Sequence, residues 1–340
     1  MHRRRWRSPG VRLAAQSVLL VILLASTWVI VGFALTDAGT GAVSAGRTVF
    51  ASLGLLLLAA VTRTGRSRAL TRSTDARTVA YSPAQLLVLA GTGVAGYTVL
   101  STVAIELAGP TLPSLVMALS PAVVLIAEAA IWGQRLRRGI LFATGVAVTG
   151  AALYVAPRLE GAGDRPGLGL GILAAIGAMA SMAAYGLYFA HLNRGYDGPM
   201  APRLVPIFAV GSIPLAAWAL VETASGTPIA LGSVAVLAVL GIAVYVPTYL
   251  VQHRVLVTAG PAFASLLALA VPPLVGAVSA LLGLAAPPDA LQAAAVGLTL
   301  AGMVAVIRLR MPRPDPGLSP ARAGAERGSG EDPSAGRGSG

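Results

Sequence analysis

Residues 13–35 read LAAQSVLLVILLASTWVIVGFAL, a stretch without a single charged side chain. A run of ~20 apolar residues is the length one helix needs to cross a bilayer. In hydrocarbon, each backbone N–H and C=O must be bonded within its own segment or within a closed barrel, so such a run is helical. Arg3, Arg4, Arg5, Arg7 and Arg12 precede it, as in a secretory leader. The run is longer than the ~7–15-residue core of a leader and lacks a small-x-small cleavage site, so it reads as the first membrane helix.

Working outward, apolar runs of similar length recur at residues 43–62, 84–105, 111–132, 139–156, 168–190, 204–221, 229–251, 262–285 and 290–307. None shows the ~10-residue alternation of a barrel strand. The chain is therefore predicted to be an all-α integral membrane protein of ten transmembrane helices. Composition agrees: 56% of residues are hydrophobic and 11% charged, against roughly 45–50% and 25% in a soluble domain.

The net charge of +12 comes from 25 basic residues, all arginine. They sit between apolar runs, where they set membrane orientation, and not in the stripe that binds phosphates; no nucleic-acid partner is expected. Cysteine is absent, which excludes disulfides, thiolate metal sites and a thiol nucleophile. With the N-terminus inside, Arg63, Arg66, Arg68, Arg72 and Arg77, then Arg135, Arg137 and Arg138, then Arg194, Arg254 and the tail arginines Arg308, Arg310 and Arg313 all fall on the inner side. The outer side receives Arg158 and Arg165, each with an acid nearby at Glu160 and Asp164. The positive-inside rule then places both termini in the cytoplasm of a multi-pass inner or plasma membrane protein.

The chain also matches itself at a shift near 151–156 residues. SerAlaGlyArg ending at Arg47 pairs with MetAlaProArg ending at Arg203, and Ala108-Gly109-Pro110 with Ala259-Gly260-Pro261. Pro121 pairs with Pro272, Gly145 with Gly297, and Gly150 with Gly302. Five crossings per copy is an odd number, so the second copy enters from the opposite side; the expected fold is two inverted five-helix repeats, the arrangement of alternating-access carriers. The organisation is a basic cytoplasmic N-terminus (1–12), a first repeat (13–157), an external linker (158–167), a second repeat (168–310) and a Pro/Gly/Ser-rich cytoplasmic tail (311–340) expected to be disordered.

Ordered short motifs resemble the EamA branch of the drug/metabolite transporter superfamily. They are Ser26-Thr27-Trp28, Arg47 opening the second helix, Gly96-Tyr97, Ser114-Leu115, Leu119-Ser120-Pro121, the turn Gly133-Gln134-Arg135-Leu136, and Tyr185-Gly186-Leu187-Tyr188. Two positions depart from that pattern: Gln134 stands where a turn glutamate is usual, and AlaAlaProPro at 285–288 precedes Asp289 where the second turn belongs. The resemblance implies a secondary transporter that exports or exchanges small metabolites, amino acids or drugs.

Ionisable residues within hydrocarbon are costly, which makes each a functional candidate. Arg47 and Arg203 either gate opposite mouths or hold an anionic substrate group, or else they snorkel to the interface. Glu128 is either a proton-coupling carboxylate or the neutralising neighbour of Arg135–Arg138. Glu106, His253 and Arg254 fall at helix ends, where interfacial roles are expected. Rings with a polar tip suit a mainly apolar substrate cavity, which nominates Trp28, Tyr97, Tyr185, Tyr188, Tyr245 and Tyr249, with Ser101 and Ser120; packing or an aromatic belt is the alternative for each. Pro121, Pro272 and Pro273 lack a backbone donor in mid-run and are candidate hinges. The glycines from Gly91 to Gly96 lie inside an apolar run with no preceding strand, so they are assigned to close helix packing and not to a nucleotide loop.

No metal, cofactor or catalytic group is expected. An intramembrane serine hydrolase would need GlyxSerxGly and a mid-helix base, yet the histidines are His2, His191 and His253 alone. The expected partners are a small-molecule substrate and the lipid bilayer, with a homodimer left open. A lipid-carrier flippase is the alternative within transport, and a non-transporting membrane scaffold the alternative outside it.

Overall fold

The structure, a computed structural model, describes residues 9–67, 80–108, 113, 116–117, 119–133, 137–159, 167–226, 230–281 and 287–310. Among these, all regular structure is helical. In chain order, α1 is Pro9–Asp37, α2 Thr40–Ser67, α3 Pro83–Ala108, α4 Ser120–Trp132 and α5 Arg138–Val155. Next come α6 (Leu168–Leu192) and α7 (Ala201–Ala224). α8 joins Leu231–Val239, Leu240–Tyr245 and Val246–Ala259; α9 joins Pro261–Ala268 and Val271–Leu281; α10 is Ala290–Arg310. Eight of these are long and apolar enough to cross a membrane, and α4 and α5 are shorter apolar helices. The outward faces carry large apolar side chains such as Phe142, 76% exposed, and Leu220, 72% exposed; lipid accepts them where water would not. The chain is thus an all-helical membrane protein. Residues 1–8, most of the linker, the greater part of the Gly133–Leu136 turn and the expected tail 311–340 lie outside the described residues.

Local chemistry fixes the helix ends. Ser82 caps α3 reciprocally with Gln85: the Gln85 N–H donates to Ser82 Oγ at 3.3 Å and the Ser82 N–H to Gln85 Oε1 at 2.9 Å. Asp289 plays the same part for α10, accepting from the Gln292 N–H at 2.7 Å, which gives that acid a structural role. Gly133 ends α4 at φ +63°, a left-handed position that a side chain would strain. The Ala259-Gly260-Pro261 motif makes the whole connection between α8 and α9: Gly260 supplies φ +88°, and Pro261 opens the next helix, where its missing donor costs nothing.

The three hinge prolines stand at helix starts and not in mid-helix. Pro121 is the second residue of α4, and Pro272 and Pro273 follow Val271, where α9 resumes after a turn at 269–270. A proline in a first turn has no intrahelical bond to lose. The sequence gives no means of telling an interrupted helix from a kinked one, because both keep the apolar run intact.

Helix pairing follows a rule. α2 lies along α7, α5 along α10 and α4 against α9, while α3 packs on α6 and α1 on α8. Shifting every number by five returns the first three pairs to themselves and exchanges α3–α6 with α8–α1. The α5–α10 contact is reciprocal in detail: a Cβ on Gly150 would fall 2.5 Å from Thr299 N, and one on Gly302 2.5 Å from Ala147 N. Small residues let the two backbones approach this closely. Hydroxyl pairs add interhelical bonds, Ser44 to Thr102 at 3.0 Å and Ser52 to Ser212 at 3.1 Å, each worth on the order of 1 kcal/mol in a membrane.

Both α3 and α8 widen into a π-helical stretch, at Ala90–Gly96 and Leu240–Tyr245. The first is the glycine cluster, and Gly93 serves packing, since a Cβ there would fall 2.2 Å from the Tyr185 ring of α6, whereas Gly91 faces open space. Ser181 Oγ of α6 donates to the Thr92 carbonyl at 2.8 Å. In the second stretch, Gly241 lies against Phe50 and Ala51 of α2. One residue added to a turn rotates everything beyond it, and Tyr97 and Tyr245 sit where these stretches end.

Candidate functional site

A cavity of about 330 Å³ lies at the centre of the bundle. Its wall comes from α1, α3 and α4 on one side and α6, α8 and α9 on the other, with single side chains from α2, α5 and α7. Each of the first three helices is related to one of the second three by the shift of five.

The polar part of the wall is built by stripes. On α8, Tyr245, Tyr249 and His253 stand four residues apart and therefore share one face, with Gln252 beside them. On α3, Tyr97 and Ser101 form the corresponding stripe with Thr98. The rings pack on one another: Tyr245 and Tyr249 have centroids 5.2 Å apart and Phe208 and Tyr249 4.3 Å, both pairs tilted, and Phe189 meets His253 edge-on at 4.6 Å.

Arg47 of α2 enters this wall. Its Nη1 donates to Tyr245 Oη at 3.2 Å, and its guanidinium carbon lies 5.8 Å from that ring's centre. Tyr97 and Tyr249 complete its electrostatic neighbourhood. Nη2 is buried with no hydrogen-bond partner among the described residues. No aspartate or glutamate is among the residues lining the cavity. A guanidinium offers five donors in a planar fork, so most of its capacity is unused by the protein.

His253 is buried at 1% exposure within the aromatic cluster, and not at an interface as its position near a helix end implied. Its Nδ1 lies 2.6 Å from the Tyr249 carbonyl, which can only accept, so the proton sits on Nδ1. Nε2 then accepts from the Tyr185 hydroxyl. Both ring nitrogens are satisfied in the neutral form, and the histidine locks Tyr185 of α6 to α8.

Of the residues nominated from sequence, Arg47, Tyr97, Ser101, Ser120, Tyr185, Tyr245, Tyr249 and Pro272 line the cavity. Tyr188 packs instead against the neighbouring apolar core, and Pro121 and Pro273 do not reach the cavity. The Trp28 side chain lies outside the described residues. Glu128 is buried, and its Oε1 accepts from the Ala262 N–H at 3.1 Å, capping the first turn of α9. It borders a second cavity of about 560 Å³ with Trp132, Arg137 and Arg194. Glu222 caps α2 in the same manner, accepting from the Ala42 N–H at 2.9 Å.

Arg203 is placed elsewhere. Its guanidinium carbon lies 4.5 Å from the Tyr196 ring centre and 5.4 Å from that of Tyr81. Tyr81 Oη donates to Asn193 Oδ1 at 3.1 Å, and burial pushes its phenol above the ordinary tyrosine value. Arg254 closes the group by donating to the carbonyls of Tyr196, Asp197 and Gly198 at 3.3, 3.3 and 3.0 Å.

Sequence reasoning assigned His253 to an interface and passed over Gln252, Thr98, Thr248 and Phe208. The signal for His253 was present in the four-residue spacing from Tyr245 and Tyr249; nothing in the sequence singles out Phe208.

Comparison with known proteins agrees with this architecture. No curated protein matches the chain. A solved crystal structure of a protein 18% identical superposes with a TM-score of 0.66, covering 88% of this chain and 99% of that one. At that identity the likeness is one of fold, and it extends well past residue 156. The model of the EamA-like transporter family matches residues 12–156. The stretch that carries α1 to α5, and with them Arg47, Tyr97 and Ser101, is thus the part that matches the EamA-like transporter family, which is part of the drug/metabolite transporter superfamily.

Proposed function

We propose that the chain is a secondary transporter, an exporter or exchanger of a small organic solute, whose ten helices form two inverted five-helix halves around the central cavity. The observation that carries this is the cavity's wall, drawn from three helices of each half at repeat-related positions. The self-reciprocal α2–α7, α4–α9 and α5–α10 pairs and the π-helical stretches at equivalent places in α3 and α8 support the same symmetry. Two halves of nearly equal energy can exchange conformations, so that one arrangement opens the cavity to one side and its counterpart to the other.

In this scheme the helix breaks before Val271 and around Ser120 let α9 and α4 bend without losing interior bonds. The Glu128 cap on α9 and the Glu222 cap on α2 tie the halves together and are the contacts that must loosen when access changes sides, while the Tyr185–His253 bond holds α6 to α8 within the second half. With both termini cytoplasmic, the Arg203 and Arg254 group lies at the inner end of the bundle.

Purified protein in liposomes, preloaded and screened by counterflow with labelled amino acids, nucleosides, organic acids and cationic drugs, with and without a pH gradient, tests the proposal. Saturable exchange of at least one class is expected, and none would refute it. Reporter fusions at Ser73 and Ala162 test the orientation, with cytoplasmic and external signals expected respectively.

A further inference from the structure

We infer that the central cavity recognises a small organic monoanion, its carboxylate held by Arg47 and its apolar or aromatic body by the tyrosine wall. The inference rests on the carrier proposal only in calling that molecule the substrate. Four observations on the site converge on it. Among the described residues the cavity's single formal charge is positive, and no acid lines it. Throughout the sequence, the acids nearest the membrane, Asp37, Glu106, Glu128, Glu222 and Asp289, lie toward helix ends. The guanidinium makes one hydrogen bond, to Tyr245, and its Nη2 is buried unmet. Tyr245 Oη accepts from Arg47, which leaves its own hydrogen available for the same anion.

A guanidinium removed from water without a counter-charge is unfavourable, and a planar carboxylate is the group its fork fits best. Tyr97 and Tyr249 share the cavity wall with the guanidinium, and their hydroxyls have no hydrogen-bond partner among the described residues. The remaining wall, including Leu20, Leu24, Val31, Met182 and Phe208, is apolar. Cavities holding one small ligand begin near 300 Å³, so the body is the size of a single ring or a short chain. An ammonium ion meets no carboxylate here, which places cationic drugs outside the substrate class.

The test is equilibrium dialysis of the full chain in lipid nanodiscs against four labelled probes that share one body: 3-phenylpropionate, phenylalanine, phenethylamine and 3-phenylpropanol. The expected order places phenylpropionate at least about tenfold tighter than phenethylamine and phenylpropanol, as one charge-assisted hydrogen-bond pair allows. Phenylalanine falls between. Arg47→Gln removes that preference while leaving phenylpropanol binding in place; Arg47→Lys keeps the sign of the preference and weakens it, because the point charge lacks the fork. Phenethylamine binding as tightly as phenylpropionate, anion binding unaffected by Arg47→Gln, or no binding by any probe would overturn the inference. Displacement of phenylpropionate by an equal concentration of chloride would overturn it too, by identifying an inorganic anion as the occupant. Charge-selective binding without counterflow would sink the carrier proposal alone, and counterflow indifferent to charge and to Arg47 would sink this inference alone.

Discussion

Arg47 and Arg203 occupy equivalent places in the two repeats of the sequence, yet the fold treats them oppositely. Arg203 is sandwiched between Tyr196 and Tyr81 in a cluster that also holds Asn193 and Arg254. Arg47 makes one bond to Tyr245, keeps a buried nitrogen unpaired and faces a cavity. In the proposed repeat the same residue occurs twice, and the surroundings decide its use. The aromatic sandwich turns one guanidinium into a structural clasp. The absence of acids turns the other into a binding group.

Replacing Arg47 by Gln is the largest expected perturbation of function. Counterflow of an anionic solute should fall at least about tenfold, in line with the roughly 1.5–3 kcal/mol of a charge-assisted hydrogen bond. Thermal stability should hold or rise, because an unmet buried charge has been removed. A melting curve in detergent beside the flux assay checks both; a fall in stability matching the loss of flux would make Arg47 a second clasp and erase the contrast.

Tyr245→Phe is the intermediate case. It deletes the acceptor for Nη1 and one donor to the anion while keeping the ring, so affinity should drop by roughly threefold to tenfold, about 0.5–1.5 kcal/mol. Dialysis with 3-phenylpropionate reads this directly, and unchanged affinity would detach the tyrosine from recognition.

Arg203→Gln should reverse the pattern seen at Arg47. Loss of its cation–π contacts should lower stability by about 1 kcal/mol, with probe affinity within about twofold of the parent. A selective loss of affinity with intact stability would show both arginines to be binding groups.

The smallest effect is expected at alkaline pH. The Tyr81 phenol is held above the ordinary tyrosine value by burial. Below that range it is protonated in both folded and unfolded chains, so its contribution is intact. As pH rises past the unfolded value, the unfolded chain ionises first, and stability falls. Melting temperatures across the alkaline range should decline less steeply in Tyr81→Phe, while acidification should leave the difference unchanged.

Much of the site could be anticipated because membrane helices confine chemistry to few residues. Tyr97, Ser101, Tyr245 and Tyr249 stood out as polar-tipped side chains in apolar runs, and all four line the cavity. Tyr188 met the same description and turned to the core, since one residue along a helix changes its facing by about 100°. His253 was assigned to an interface from its distance along α8, and Phe208 carried no signal at all. Glu128 was weighed as a proton carrier or a neighbour of arginines, and its carboxylate is found capping α9 through Ala262.

The length and uniform apolarity of the runs were enough to determine that the chain is helical and embedded in a membrane, because unsatisfied backbone in hydrocarbon leaves no other structure. The ordered Gly, Pro and Arg correspondences led to the proposed internal repeat for a similar local reason: turns and close crossings demand particular residues at particular places. Which faces meet was decided only in three dimensions. The π-helical stretches before Tyr97 and at Tyr245 rotate the helix beyond them, and the interrupted α9 carries its prolines at a helix start. These features depend on contacts between residues far apart in the chain, and so does the unmatched charge of Arg47, since among the described residues no acid from another helix lines its cavity.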